Sequence, residues 1–202
     1  EQRTHNPTVA GSSPAGPIHI VYLENVMIRV ASVLMAVTVF AAPAFAQTHG
    51  STALRDELMG HFESSISKVI SLADAMPAES YTWKPSADAM PVGQVFAHIA
   101  RYNFFYPASS MAIPAPAAIE LDTLEAMRTK AQIVALLRQS AEHVRRSLSA
   151  LSTEELSKST TLYERTVPKW AVMMQLVAHM NEHLGQSIAY ARSNNVVPPW
   201  SR

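Results

Sequence analysis

The sequence predicts an all-α protein, a four-helix bundle, and three observations carry that expectation. Apolar residues recur at steps of three and four through four separate segments, the spacing of one helix face. Prolines stand near the ends of those segments, and two of the links between them, residues 79–88 and 152–165, are polar. No alternating apolar run is long enough for a sheet, and no hairpin signal is present. With 202 residues, 48% of them hydrophobic, the chain can bury one core.

The first helix carries Leu54, Leu58, Phe62, Ile66, Val69, Ala73 and Met76 on one face, and Pro77 closes it. A polar link over residues 79–88 holds Tyr81, Trp83 and Pro85. Pro91 suits the first position of the second helix, where its missing N–H would have no partner. That helix presents Val95, Phe96, Ile99, Tyr102 and Phe105, and Pro107 is expected to end it. Residues 108–122, with Pro114 and Pro116, read as a loop. In the third helix Val134, Leu137, Ala141, Val144, Leu148 and Leu151 follow one another at spacings of 3, 4, 3, 4 and 3. Such a seam suits near-antiparallel packing. A polar connection runs from Ser152 through Arg165. Pro168 then begins a fourth helix, which ends near residue 193 before Asn194, Asn195, Pro198 and Pro199.

The N-terminal part reads as an address. Met27-Ile28-Arg29, an apolar run over residues 30–42, Pro43 and Ala44-Phe45-Ala46 supply the three parts of a secretory signal. The run falls short of the roughly 20 apolar residues that span a bilayer. Cleavage is expected after Ala46, leaving residues 47–202 as the mature bundle domain, periplasmic or secreted and not an integral membrane protein. Residues 1–26, rich in Pro, Gly, Ser and Asn, precede the signal, and translation is expected to start at Met27. N-terminal sequencing of the native protein checks this; a mature form that retains residues 1–26 contradicts it.

Composition removes several functional classes. Basic and acidic residues number 16 each, and no Lys/Arg cluster exists to neutralise phosphates, so nucleic acid is not an expected partner. With no cysteine, the chain has no disulfide, thiolate ligand or cysteine nucleophile, and a metal site must use imidazole, carboxylate or thioether.

Of the 8 histidines, His5 and His19 precede the signal, His49 falls in the new N-terminus, which is expected to be disordered, and His143 lies between seam positions and is expected to be solvated. His179 and His183, four apart on the fourth helix, project from one face one turn apart. The same stripe continues to Gln186 and Tyr190, a polar line where a bundle helix would ordinarily be apolar, and a metal site would account for it. His98 stands mid-helix with Gln94 and Tyr102 on its face and can supply a third ligand. Three neutral imidazoles with one open position form a catalytic zinc arrangement, although imidazole also suits iron, nickel and copper. Spacing alone leaves other readings open. Two histidines at i and i+4 occur by chance, and a lone core histidine is commonly just hydrogen-bonded. His61 sits beside the apolar stripe of the first helix and is a further pocket candidate. Residues 179–183 also fit H-x-x-E-H, the inverted zinc-protease pattern, but no large sheet accompanies it. Glu182 lies about 60° around the helix from His179, placed as a candidate base or as an exposed charge.

Trp83-Lys84-Pro85, the run Val92-Gly93-Gln94-Val95-Phe96-Ala97-His98-Ile99-Ala100, the pattern His179-x-x-x-His183-x-Gly185-Gln186, and Val197-Pro198-Pro199 together resemble the DinB/YfiT-like superfamily. The resemblance spans roughly residues 51–200. It implies a four-helix bundle, often dimeric, with one divalent metal held by a histidine of the second helix and two of the fourth. These map onto His98, His179 and His183. Zinc is the first choice, with nickel, iron or manganese as alternatives. Characterised relatives include enzymes that use low-molecular-weight thiols such as mycothiol or bacillithiol. Those thiols are cytoplasmic, whereas the signal directs this chain elsewhere. The expected function is therefore an exported metal-dependent hydrolase or transferase for a small molecule. A non-catalytic metal- or ligand-binding helical module is the alternative.

Overall fold

The computed structural model describes residues 49–127 and 129–201; the expected upstream segment and signal lie outside them. Four long helices dominate: α1 (His49–Ala75), α2 (Val92–Met111), α3 (Lys130–Ser149) and, after a short α4 (Thr153–Ser157) and two strands, α5 (Lys169–Ser193). α1 and α2 each pack against both α3 and α5, which encloses one core. Phe62, Ile66, Phe96, Ile99, Leu137 and Val144 are among its buried side chains. No helix among the described residues is long and apolar enough to cross a membrane.

The expected helices are present, with several corrections. α1 reaches back to His49, which was expected in an unstructured N-terminus. Pro107 does not end α2; the helix runs on to Met111 and closes at Ala112, whose backbone is left-handed at φ 59 and ψ 34. The proline removes one helical hydrogen bond, but Tyr106, Ser110 and Met111 are buried, and that packing holds the last turn in place. Pro91 and Pro168 precede α2 and α5 as N-caps rather than opening them. The link after α2 contains a 3-10 turn, Leu121–Ala126, that packs on α2.

The polar connection after α3 is also structured. Ser152 caps α4 by accepting from the Glu155 N–H at 3.1 Å. β1 (Ser159–Leu162) and β2 (Arg165–Pro168) then form an antiparallel hairpin, pairing Ser159 with Pro168 and Leu162 with Arg165. This hairpin was not expected. Its turn, Tyr163 and Glu164, has positive φ at both residues, 49 and 63, and neither is a residue that ordinarily signals such a turn.

His143 is buried rather than solvated. Its ring packs 5.2 Å from that of Phe104, and Nε2 has no hydrogen-bond partner. Burial lowers its pKa, helped by the charge of Arg146. The covered face of α3 includes Ile133, Leu136, Ser140 and His143 besides the seam, because α3 touches both α1 and α2.

Gly93 marks a close approach. A Cβ there would stand 3.0 Å from Tyr81 Cδ1, 3.1 Å from Ile133 Cδ1 and 3.2 Å from the Tyr81 carbonyl oxygen. Gly93→Ala is therefore expected to destabilise the fold by about 1–3 kcal/mol, the usual cost of overpacking. A lowered urea midpoint checks this, and an unchanged midpoint contradicts it.

Candidate metal centre

α2 presents Gln94, His98 and Tyr102 at four-residue spacing, and α5 presents Gln175, His179 and His183 in the same way. The two helices pack together, and the two stripes face one another. Ring centroids lie 5.1 Å apart for His98 and His179, 4.7 Å for His98 and His183, and 4.6 Å for His179 and His183. One nitrogen from each ring lies within 4.8 Å of the other two, an arrangement that can hold a metal ion.

Neighbouring groups set the orientation of two rings. His98 Nδ1 lies 2.8 Å from Glu125 Oε1. A carboxylate only accepts, so Nδ1 carries the proton and Nε2 keeps its lone pair. His183 Nδ1 lies 2.8 Å from Gln186 Oε1, and the Gln186 amide donates onward to the Tyr190 hydroxyl at 3.0 Å. A side-chain partner of this kind fixes the tautomer of a ligating histidine and raises its basicity. The Nε2 atoms of His98 and His179 stand 3.2 Å apart. Two nitrogens on a tetrahedral ion at 2.0–2.1 Å would be about 3.3 Å apart, so this pair already stands at the separation of two ligands of one ion.

Electrostatics favour the ligating form. Burial holds His98 below the ordinary histidine range, opposed by its hydrogen bond to Glu125. His179 is pushed down to about 3 by burial, then by His183 and His98. Neutral imidazole is the form that binds metal. Both folded-state values lie below the 6.5 of an unperturbed histidine. The unfolded chain therefore takes up more protons as pH falls through 6.5, and stability present above that pH is lost toward 3. For chelator-treated protein, the melting temperature is expected to drop between pH 7 and 5, and less so in His179→Gln. Equal slopes in the two proteins would contradict this.

The sequence candidates divide cleanly. Gln186 and Tyr190 support His183, and Gln94 Nε2 reaches Glu125 Oε2 at 3.4 Å. Tyr102 lies against His179 with ring centroids 4.2 Å apart, and Trp83 packs edge-on against Tyr190 at 5.4 Å. His61 does not join the site; it is exposed and pairs with Glu57 at 3.3 Å. Glu182 is also exposed. Glu125 was not anticipated. It stands 27 residues beyond His98, in the 3-10 turn, where no spacing on α2 or α5 could reveal it. Arg101 lies 3.8 Å from the same carboxylate, donates to the Leu121 carbonyl at 3.0 Å, and packs over Tyr102 and Phe105. A cleft of about 500 Å³ lined by Ile119, Leu124, Gln132 and Leu136 contains none of the three histidines.

Residues 61–187 match the profile of the DinB superfamily. Among solved structures, the chain is similar to a DinB-like protein of Bacillus cereus ATCC 10987, with a TM-score of 0.64 and 16% identity over 71% of this chain and 95% of that one. It is also similar to the DinB-like protein YjoA of Bacillus subtilis, with a TM-score of 0.48 and 20% identity over 70% of this chain and 93% of that one. No functionally curated protein matches. The first of these structures shares the helical fold, and the profile match covers more than half of the sequence: the chain belongs to the DinB superfamily.

Proposed function

We propose that this protein is an exported metal-dependent hydrolase or transferase acting on a small molecule, with one divalent ion, zinc first, held by Nε2 of His98, His179 and His183. The observation that carries the proposal is the convergence of the three imidazoles on one point, with Glu125 and Gln186 orienting two of them. When bound, the ion supplies Lewis acidity at the coordination position the protein leaves open. The chain's own residues do the rest. Glu125 and Gln186 hold protons on the outer nitrogens of their histidines. Tyr102 covers one flank of His179 and restricts water there. No exposed carboxylate is recruited, so proton transfer falls to the substrate or to solvent.

Export is supported by the signal-like stretch over residues 27–46, and a homodimer by the resemblance to the family. N-terminal sequencing and light scattering test these two points. Activity is tested by loading the protein with zinc, nickel, iron(II) or manganese and screening esters, amides, phosphoesters and thiol-transfer electrophiles. A turnover that disappears with chelator and in His179→Ala is expected. Identical rates in loaded, chelated and variant protein would overturn the reading.

A further inference from the structure

We propose that the exposed ring of Tyr163, held from beneath by the buried Tyr106, forms one wall of a subsite beside the three histidines, and that it takes an uncharged aromatic ring carried by the substrate. The inference rests on the metal reading above and adds a substrate class to it. α2 and α5 meet in matched steps: His98 lies beside His179 and His183, Tyr102 beside His179, and Tyr106 beside His179 and Gln175. The seam therefore continues past the histidines into aromatic residues. At 1.5 Å per residue, four residues on α5 and eight on α2 put Tyr106 about 6 to 12 Å along the seam from the site.

At that end the hairpin, which packs on both α2 and α5, brings in Tyr163. Its hydroxyl meets the Tyr106 hydroxyl at 2.6 Å, and the Gln175 amide approaches the same oxygen at 3.5 Å. Tyr106 is fully buried, whereas Tyr163 is 55% exposed. The placement of Tyr163 is unfavourable on two counts. Its φ of 49 is disfavoured for a residue with a Cβ, and its ring recovers little by burial. Glycine or asparagine would suit the turn better. Anchoring the hairpin does not explain the ring, because other contacts already do so. The Thr160 hydroxyl donates to the Ser110 carbonyl of α2, and both strands pack on α5. An exposed ring held at a strained position beside a reactive centre points to ligand contact. Tyr102, Phe105 and Gln175, the partly exposed side chains on this side, carry no charge, the exposed Glu164 and Arg165 beside Tyr163 are of opposite sign, and the adjacent Arg101 is engaged by Glu125 and Asp122. This selects an uncharged ring.

The test uses the cobalt(II)-loaded protein and two hydroxamate probes, 4-phenylbutyrohydroxamate and butyrohydroxamate, which differ only in the ring. Binding is followed by the visible spectrum of the cobalt. The ring is expected to tighten binding by about fivefold, the scale of one or two aromatic contacts. Tyr163→Gly removes the ring and suits the turn, so the fold is retained, which circular dichroism checks. In this variant the preference should vanish while butyrohydroxamate affinity stays the same; Tyr163→Phe should keep the preference. Equal affinities in the wild type, or a preference that survives in Tyr163→Gly, would overturn the subsite while leaving the metal reading intact. Failure of the protein to take up cobalt would overturn the metal reading and the subsite with it, whereas cobalt uptake with no response to either probe would overturn the subsite alone.

Discussion

His179→Ala is expected to lower divalent-metal affinity by more than about a hundredfold, since losing even an outer partner of a ligand costs 10–100-fold. The three rings lie 4.6 to 5.1 Å from one another, and loss of His179 leaves one ligand from α2 and one from α5. The effect should be visible in stability as well as in binding. At a metal concentration one hundred times Kd, the wild type should gain about 2.7 kcal/mol. The variant should gain almost nothing at that concentration. Calorimetric titration and thermal melts of both proteins, with and without metal, make the comparison. A variant that binds and is stabilised like the wild type would remove His179 from the ligand set.

Glu125→Ala is expected to weaken metal binding by about 10–100-fold without touching a ligand. The carboxylate fixes the proton of His98 on Nδ1 at 2.8 Å and turns Nε2 toward the other histidines. Without it, the ring is free to rotate or to adopt the other tautomer. Glu125→Gln keeps an acceptor oxygen and should lose much less, which separates hydrogen bonding from charge. Arg101 also leans on this carboxylate at 3.8 Å, so melts of the metal-free variants are needed to show that the 3-10 turn stays in place. Unchanged affinity in Glu125→Ala would contradict its assigned role.

The long helices were legible because their buried faces repeat at the helical period. Phe62, Ile66, Val69 and Ala73 on α1 and Leu137, Ala141, Val144 and Leu148 on α3 are all buried where the pattern placed them. The histidine pair on α5 was legible for the same reason, and His98 through its place on an apolar helix. What escaped depended on contacts between segments distant in sequence. Pro107 is tolerated because Tyr106, Ser110 and Met111 are buried around it, which no local rule records. His143 is buried because α3 is flanked on two sides, a property of the packing rather than of the seam. The hairpin was missed because its turn is Tyr163 and Glu164, and its first strand is the largely polar Ser-Thr-Thr-Leu. Glu125 was missed because a carboxylate that steadies a ligand can come from any segment that folds across it. His61 was misjudged in the opposite direction: a position beside an apolar stripe proved to be exposed.

The three histidines lie on the seam between α2 and α5. The Trp83 link stands at one end and the Tyr163 hairpin at the other. The long helices form the frame, and two short segments outside them reach the seam: the 3-10 turn meets His98 through Glu125, and the hairpin meets Tyr106 through Tyr163. In this account substrate differences within the superfamily should arise in those two segments rather than in the helices.

The most direct test of the central claim is the metal content of the untagged wild-type protein, measured by elemental mass spectrometry after purification and again after reconstitution. The account predicts about one divalent ion per chain. No metal under either condition would contradict it and leave the three histidines as a hydrogen-bonded cluster.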